Sequence, residues 1–83
     1  MVNNKQLNNK LSTEAFMQDV FQLPCGSFVS IGHYVRNFNT LAVIVDTHAD
    51  LNGEVSPVLR EVGLNNKLCG GKWVANIALC QKA

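Results

Sequence analysis

The chain has 83 residues, 47% of them apolar and 16% charged, with a formal net charge of +1. So short a chain holds one domain, and so apolar and nearly neutral a composition excludes disorder throughout, which needs the opposite of both. The longest purely apolar run, Leu41 to Val45, is far below the roughly 20 residues of a membrane-spanning helix, so no membrane partner is expected.

Met1 to Leu11 is rich in Asn and Lys and lacks the apolar stretch of a secretory signal. Three cysteines, an odd number without a close Cys-x-x-Cys pair, fit reduced thiols, so the expected compartment is the cytoplasm. Charge is distributed in blocks. Residues 1–13 carry only Lys5 and Lys10, and residues 64–83 only Lys67, Lys72 and Lys82. Between them six acids, Glu14, Asp19, Asp46, Asp50, Glu54 and Glu61, face only Arg36 and Arg60. No block forms the dense basic stripe that a phosphate backbone requires, so nucleic acid is not an expected partner.

Residues 1–10 are polar and aperiodic and read as a flexible arm, with the single domain occupying 11–83. Ser12 can cap a helix over residues 12–22 whose first turn holds Glu14. Phe16, Val20 and Leu23 form its apolar stripe, and Pro24 and Gly26 end it. Ser27 to Arg36 alternates as a strand. Asn37, Phe38 and Asn39 then supply a tight connection, because Asn tolerates left-handed backbone. Thr40 to Asp46 is a second strand, apolar without interruption from Leu41 to Val45, the pattern of a strand covered on both faces.

Thr47 to Gly63 admits two readings. Ser56 as cap, Pro57 at the first helical position and Gly63 just past the end match a short second helix presenting Val58, Leu59 and Val62, the reading preferred here. The rival takes Asn52-Gly53 as a hairpin turn leading into a strand from Glu54 to Val62, with Pro57 on an edge. Leu64 to Leu68 is a loop and Lys72 to Gln81 a final strand. The expected fold is α+β in the order α-β-β-α-β, an N-terminal helix packed on a small three- to four-stranded, mostly antiparallel sheet. The alternative is a helix beside a four-stranded antiparallel sheet or small barrel. Leu-Asn-Asn-Lys-Leu occurs at both 7–11 and 64–68, a coincidence expected of an Asn-rich chain.

Strand alternation places Val29, Ile31, Val35, Val43 and Trp73 on an inner face, with His33 as a hydrogen-bonded core histidine. Phe28, Tyr34, Ala42, Ile44, Asn76 and Cys80 fall on an outer face too apolar for open water. The expected function is therefore an interaction or regulatory module working through that outer face, with a second copy of itself or another protein as partner. Phe28, Tyr34, Ile44 and Asn76 are the expected contact residues. No cofactor and no catalytic residue is called for.

The competing chemistry lies in Asp46, His48 and Asp50, three metal-ligating side chains two apart, which would make a small-molecule or metal-binding, possibly hydrolytic, domain. As an EF-hand loop the segment fails, with Leu51 or Leu59 at obligatory positions. Cys25, Cys69 and Cys80 lack zinc-knuckle spacing, and Cys69 with His48 and an Asp is a triad only on paper. Gly70-Gly71-Lys72 lacks the rest of a phosphate-binding loop. Phe28 and Tyr34 could stack on bases, but the nearby charges, Arg36 and Asp46, do not suit that role.

Overall fold

The computed structural model describes residues 20–83. The expected arm over 1–10 and the first helix up to residue 19 lie outside them. Strands account for 56% of the described residues, and no helix among these reaches seven residues. The expected α+β fold is thereby overturned in favour of a seven-stranded antiparallel arrangement.

Phe21 and Gln22, expected at the end of the first helix, form β1 (Phe21–Gln22), which pairs with β2 (Phe28–Val29). Pro24 starts a turn closed by Gly26 N–H donating to the Leu23 carbonyl at 2.8 Å, since a locked φ suits the second position of a turn. The strand expected over 27–36 is broken in two. His33 N–H donates to the Ser30 carbonyl at 2.9 Å and Gly32 sits at φ +97°, a conformation that side chains disfavour, so the chain turns before β3 (Tyr34–Asn37) begins.

The expected Asn37–Asn39 connection is present. Phe38 and Asn39, both at positive φ, form a two-residue turn between β3 and β4 (Thr40–Ala49), with Asn37 paired to Thr40. β4 runs on to a turn at Asp50, whose Oδ1 accepts from the N–H groups of Asn52 and Glu54 at 2.9 Å each. The chain returns as β5 (Val55–Val62), so the rival hairpin forms and the second helix does not.

Two local features reconcile β5 with its helix-like punctuation. Pro57 accepts from Ala75 N–H at 2.9 Å, so its own missing N–H points to that side, beyond the last β5–β6 pair at Val58–Val74, and no bond to β4 is lost. Gly63 lies at a close approach: a Cβ there would meet Cys69 Sγ at 3.1 Å and the Lys67 carbonyl at 3.4 Å, tight enough that the thiol would have to give by a few tenths of an ångström. The second Leu-Asn-Asn-Lys-Leu copy makes the turn into β6 (Leu68–Val74), with Asn65 and Asn66 both in left-handed backbone. The first copy lies outside the described residues.

The expected final strand is likewise divided. After β6 the Asn76 side chain accepts from Ala78 N–H at 3.0 Å and opens a single 3₁₀ turn at Ile77–Leu79, before β7 (Cys80–Lys82). The large sheet has the order β6-β5-β4-β3-β7, so residues 75–79 cross from one edge to the other. That crossing and the β1–β2 hairpin cover one sheet face. Phe21, Leu23, Val29, Val35, Ala42, Ile44, Leu59, Ala75 and Cys80 make the core, with Trp73 and Ile77 packed against it.

A single buried polar side chain ties this core together. Asn37 accepts from Trp73 Nε1–H at 3.1 Å and donates to the Leu79 carbonyl at 3.2 Å. Three strand spacings on a flat sheet would set β3 and β6 roughly 14 Å apart, so this bond requires the sheet to coil strongly.

Beyond the last β3–β4 pair, Tyr34–Val43, and the last β5–β6 pair, the β4–β5 hairpin projects as a two-stranded ribbon ending at Leu51, which is fully exposed. Val45 is an unpaired extra residue at its base, since Ile44 faces Leu59 and Asp46 faces Val58.

Candidate functional site

Phe28 and Tyr34 are not on one strand, yet the turn at Ser30–His33 brings them to one place. Both line a shallow groove of about 720 Å³ at the β7 edge of the sheet, together with His33, Arg36, Leu41 and Lys82. Phe28 is 65% exposed and Tyr34 46%. Phe28 faces outward because its neighbour Val29 fills the core, and Tyr34 because Val35 does.

His33 is exposed, not buried as expected from its strand position. Its Nδ1 accepts from Ser30 N–H at 2.8 Å, so one ring nitrogen is spent on the turn and the other carries the proton. Arg36 and Lys82 give the groove two cations, and Ala83, the last residue of the chain, lines it beside them. Two cations are far fewer than the row of them that a nucleic-acid backbone track needs.

Ile44 does not join this surface. It is 1% exposed, opposite Leu59 in the core, and the outer side of β4 is formed by Leu41 and Val43 instead. Asn76 is exposed but its side-chain oxygen is engaged in capping the turn at Ile77, away from the groove residues.

The Asp46, His48 and Asp50 set is spread along a strand, where alternate residues stand roughly 6.6 Å apart. Asp46 Oδ1 accepts from Thr47 N–H at 2.8 Å, and Asp50 is occupied by the turn it closes. Among the described residues no group of three His, Cys, Asp or Glu side chains is placed to hold a metal ion. The Cys69 triad does not assemble either. Cys69 faces Glu61, which faces Ala42, and His48 lies six residues further along β4, about 20 Å away. Cys25 is exposed, its thiol pKa lowered by hydrogen bonding from Ser27, whereas burial pushes the Cys80 thiol up. Among the described residues no helix is long and apolar enough to cross a membrane.

Sequence reasoning treated Phe38 only as part of a turn. It is 75% exposed at φ +53°, beside a second hollow of about 370 Å³ shared with Pro24, Asn39 and Leu79. The signal was available: Asn-Phe-Asn puts an aromatic where Asn or Gly would cost less. Left-handed backbone costs a bulky residue about 1–2 kcal/mol. Phe38→Asn is accordingly expected to raise the unfolding free energy by about 1 kcal/mol, read as a higher urea midpoint with an unchanged slope.

Comparison with protein families, with curated proteins and with solved structures returns no match to this chain. The groove and its charges therefore carry the functional argument alone, and what they define is a small antiparallel β module with an exposed aromatic edge.

Proposed function

We propose that the protein is an interaction module that works by self-association through the Phe28–Tyr34 groove. The observation that carries this reading is the meeting of two exposed aromatic rings from separate elements beside Leu41, with cations at the margin. Aromatic and arginine side chains are the usual anchors of protein contacts, and an apolar centre with a polar rim is the usual anatomy. Among the described residues the opposite sheet face is filled by the hairpin and the crossing segment, and the groove edge is the exposed one. A closed two-fold pair is the simplest assembly of identical copies. The reading needs no catalytic residue and no cofactor. The free thiols of Cys25, Cys69 and Cys80 support a reducing compartment, the cytoplasm.

Tyr34→Asp places a carboxylate at the centre of the proposed contact, and loss of an anchor there costs about 2 kcal/mol or more, roughly 30-fold in affinity. Sedimentation equilibrium from micromolar to millimolar concentration is expected to show a native dimer and a monomeric variant with an unchanged far-ultraviolet dichroism spectrum. A native protein that stays monomeric throughout overturns the reading.

A further inference from the structure

Acidic side chains concentrate where the β4–β5 ribbon projects. Asp46, Asp50 and Glu54 are all exposed there, no Lys or Arg falls between residues 46 and 56, and Leu51 and Val55 expose apolar side chains beside them. The groove holds the complementary set, Arg36 and Lys82 around Phe28, Tyr34 and Leu41. From these placements we infer that the occupant of the groove is the acidic ribbon of a second copy, each copy inserting its ribbon into the other. The inference rests on the self-association reading and names the surfaces that meet.

The ribbon cannot reach its own groove. Leu41 lines the groove and Ala49 lies eight residues along the same continuous strand, roughly 26 Å away, so the tip points away from the cations on a backbone already fixed by its ladder. Its end is preorganised as well. Asp50 holds the turn through two side-chain and two main-chain hydrogen bonds, Asp50 N–H to the Glu54 carbonyl and Gly53 N–H to the Asp50 carbonyl, both at 3.0 Å. An ordered ribbon loses little conformational freedom on docking, which is the main cost such a contact must offset. Leu51, fully exposed among the described residues, gains cover against Phe28 or Tyr34 of the other copy. Antiparallel placement of two copies satisfies both ribbons and both grooves at once, so the assembly closes as a dimer.

The test exchanges charges at two side chains that make no turn or core hydrogen bond described above, since Glu54 gives only its main chain to the turn. Glu54→Lys takes the formal charge of the ribbon from −3 to −1, and Lys82→Glu takes that of the groove side chains from +2 to zero. Each variant alone is expected to associate at least tenfold more weakly than the native protein in sedimentation equilibrium, with its dichroism spectrum unchanged. An equimolar mixture of the two is expected to restore dimers, because in the mixed pair one contact keeps its native charges and in the other the lysine introduced on the ribbon meets the glutamate introduced in the groove. Native association is expected to weaken as salt is raised. If Tyr34→Asp dissociates the dimer while Glu54→Lys leaves its affinity untouched, the ribbon is not the occupant and this inference fails, although self-association stands. Failure of the mixture to recover dimers overturns it likewise, and a native protein monomeric at every concentration removes both.

Discussion

Leu59→Ala is expected to lower the unfolding free energy by about 3 kcal/mol, the cost of deleting a fully buried leucine and leaving part of the cavity behind. Leu59 is 0% exposed and lies on the core face of β5, opposite Ile44 on one neighbouring strand and Trp73 on the other. The loss therefore falls on three strands together. For a domain of this size the shift corresponds to a melting temperature lower by roughly 15 °C, measured by calorimetry or by dichroism at a single wavelength. Because small domains hold only about 5 kcal/mol in reserve, the truncated chain is expected to be partly unfolded at body temperature. Leu59→Met, which nearly conserves volume, should cost less than about 1.5 kcal/mol. Equal destabilisation by both substitutions would show that the site tolerates no change of shape and that volume is not what Leu59 supplies.

The second large effect is expected from Asn37→Ala. Asn37 is buried, accepts from the indole of Trp73 and donates to the Leu79 carbonyl, joining β3, β6 and the crossing segment. Removing it leaves the Trp73 indole N–H without its acceptor and the Leu79 carbonyl without its donor, at about 2–3 kcal/mol. It also removes the weak contact of its amide with the Cys80 thiol at 3.8 Å. Trp73 is the chain's single tryptophan, so its emission reports the change directly. A shift to longer wavelength before global unfolding in urea is expected, as the crossing segment loosens first. Native-like emission and an unchanged midpoint would show that the coiling of the sheet is held elsewhere.

Turn chemistry was the most legible part of the chain. Asn37–Asn39 announced the β3–β4 hairpin because two adjacent left-handed residues are what such a turn demands, and Asn52-Gly53 announced the next one equally well. The latter was outweighed by Ser56, Pro57 and Gly63, which match a helix at every position that local rules inspect. What decides between them is not local. Pro57 escapes a lost hydrogen bond only because β6 has already ended, and Gly63 lies close against Cys69, six residues later across a turn. Neither fact can be read from residues 56–63 themselves. Phe21 and Gln22 make the same point, since a stripe spaced for a helix also fits a short strand when a partner at Phe28–Val29 is present.

The candidate site was legible in its residue types and not in its geometry. Strand alternation alone puts Phe28 and Tyr34 on one continuous strand, whereas Gly32 turns the chain between them and the groove gathers them from two elements. Ile44 lies inward although alternation from the preceding strand points it outward, because Leu41 to Val45 is apolar at every position and a run without polar residues carries no parity. Lys82 could not be foreseen at the groove at all. Its place depends on β7 pairing with β3 at the far edge from β6, a crossing set by the whole sheet order.

Val45 gives the ribbon a pivot. One surplus residue in a strand of ten bends the ladder at its root, while Leu51 rides six residues and about 20 Å beyond it. At that gearing a tilt of about 10° at the root sweeps the tip by roughly 3.5 Å, close to the width of a methyl group. Substitutions at Val45 and its immediate neighbours can thus retune where the fingertip lands without touching either of the surfaces that meet.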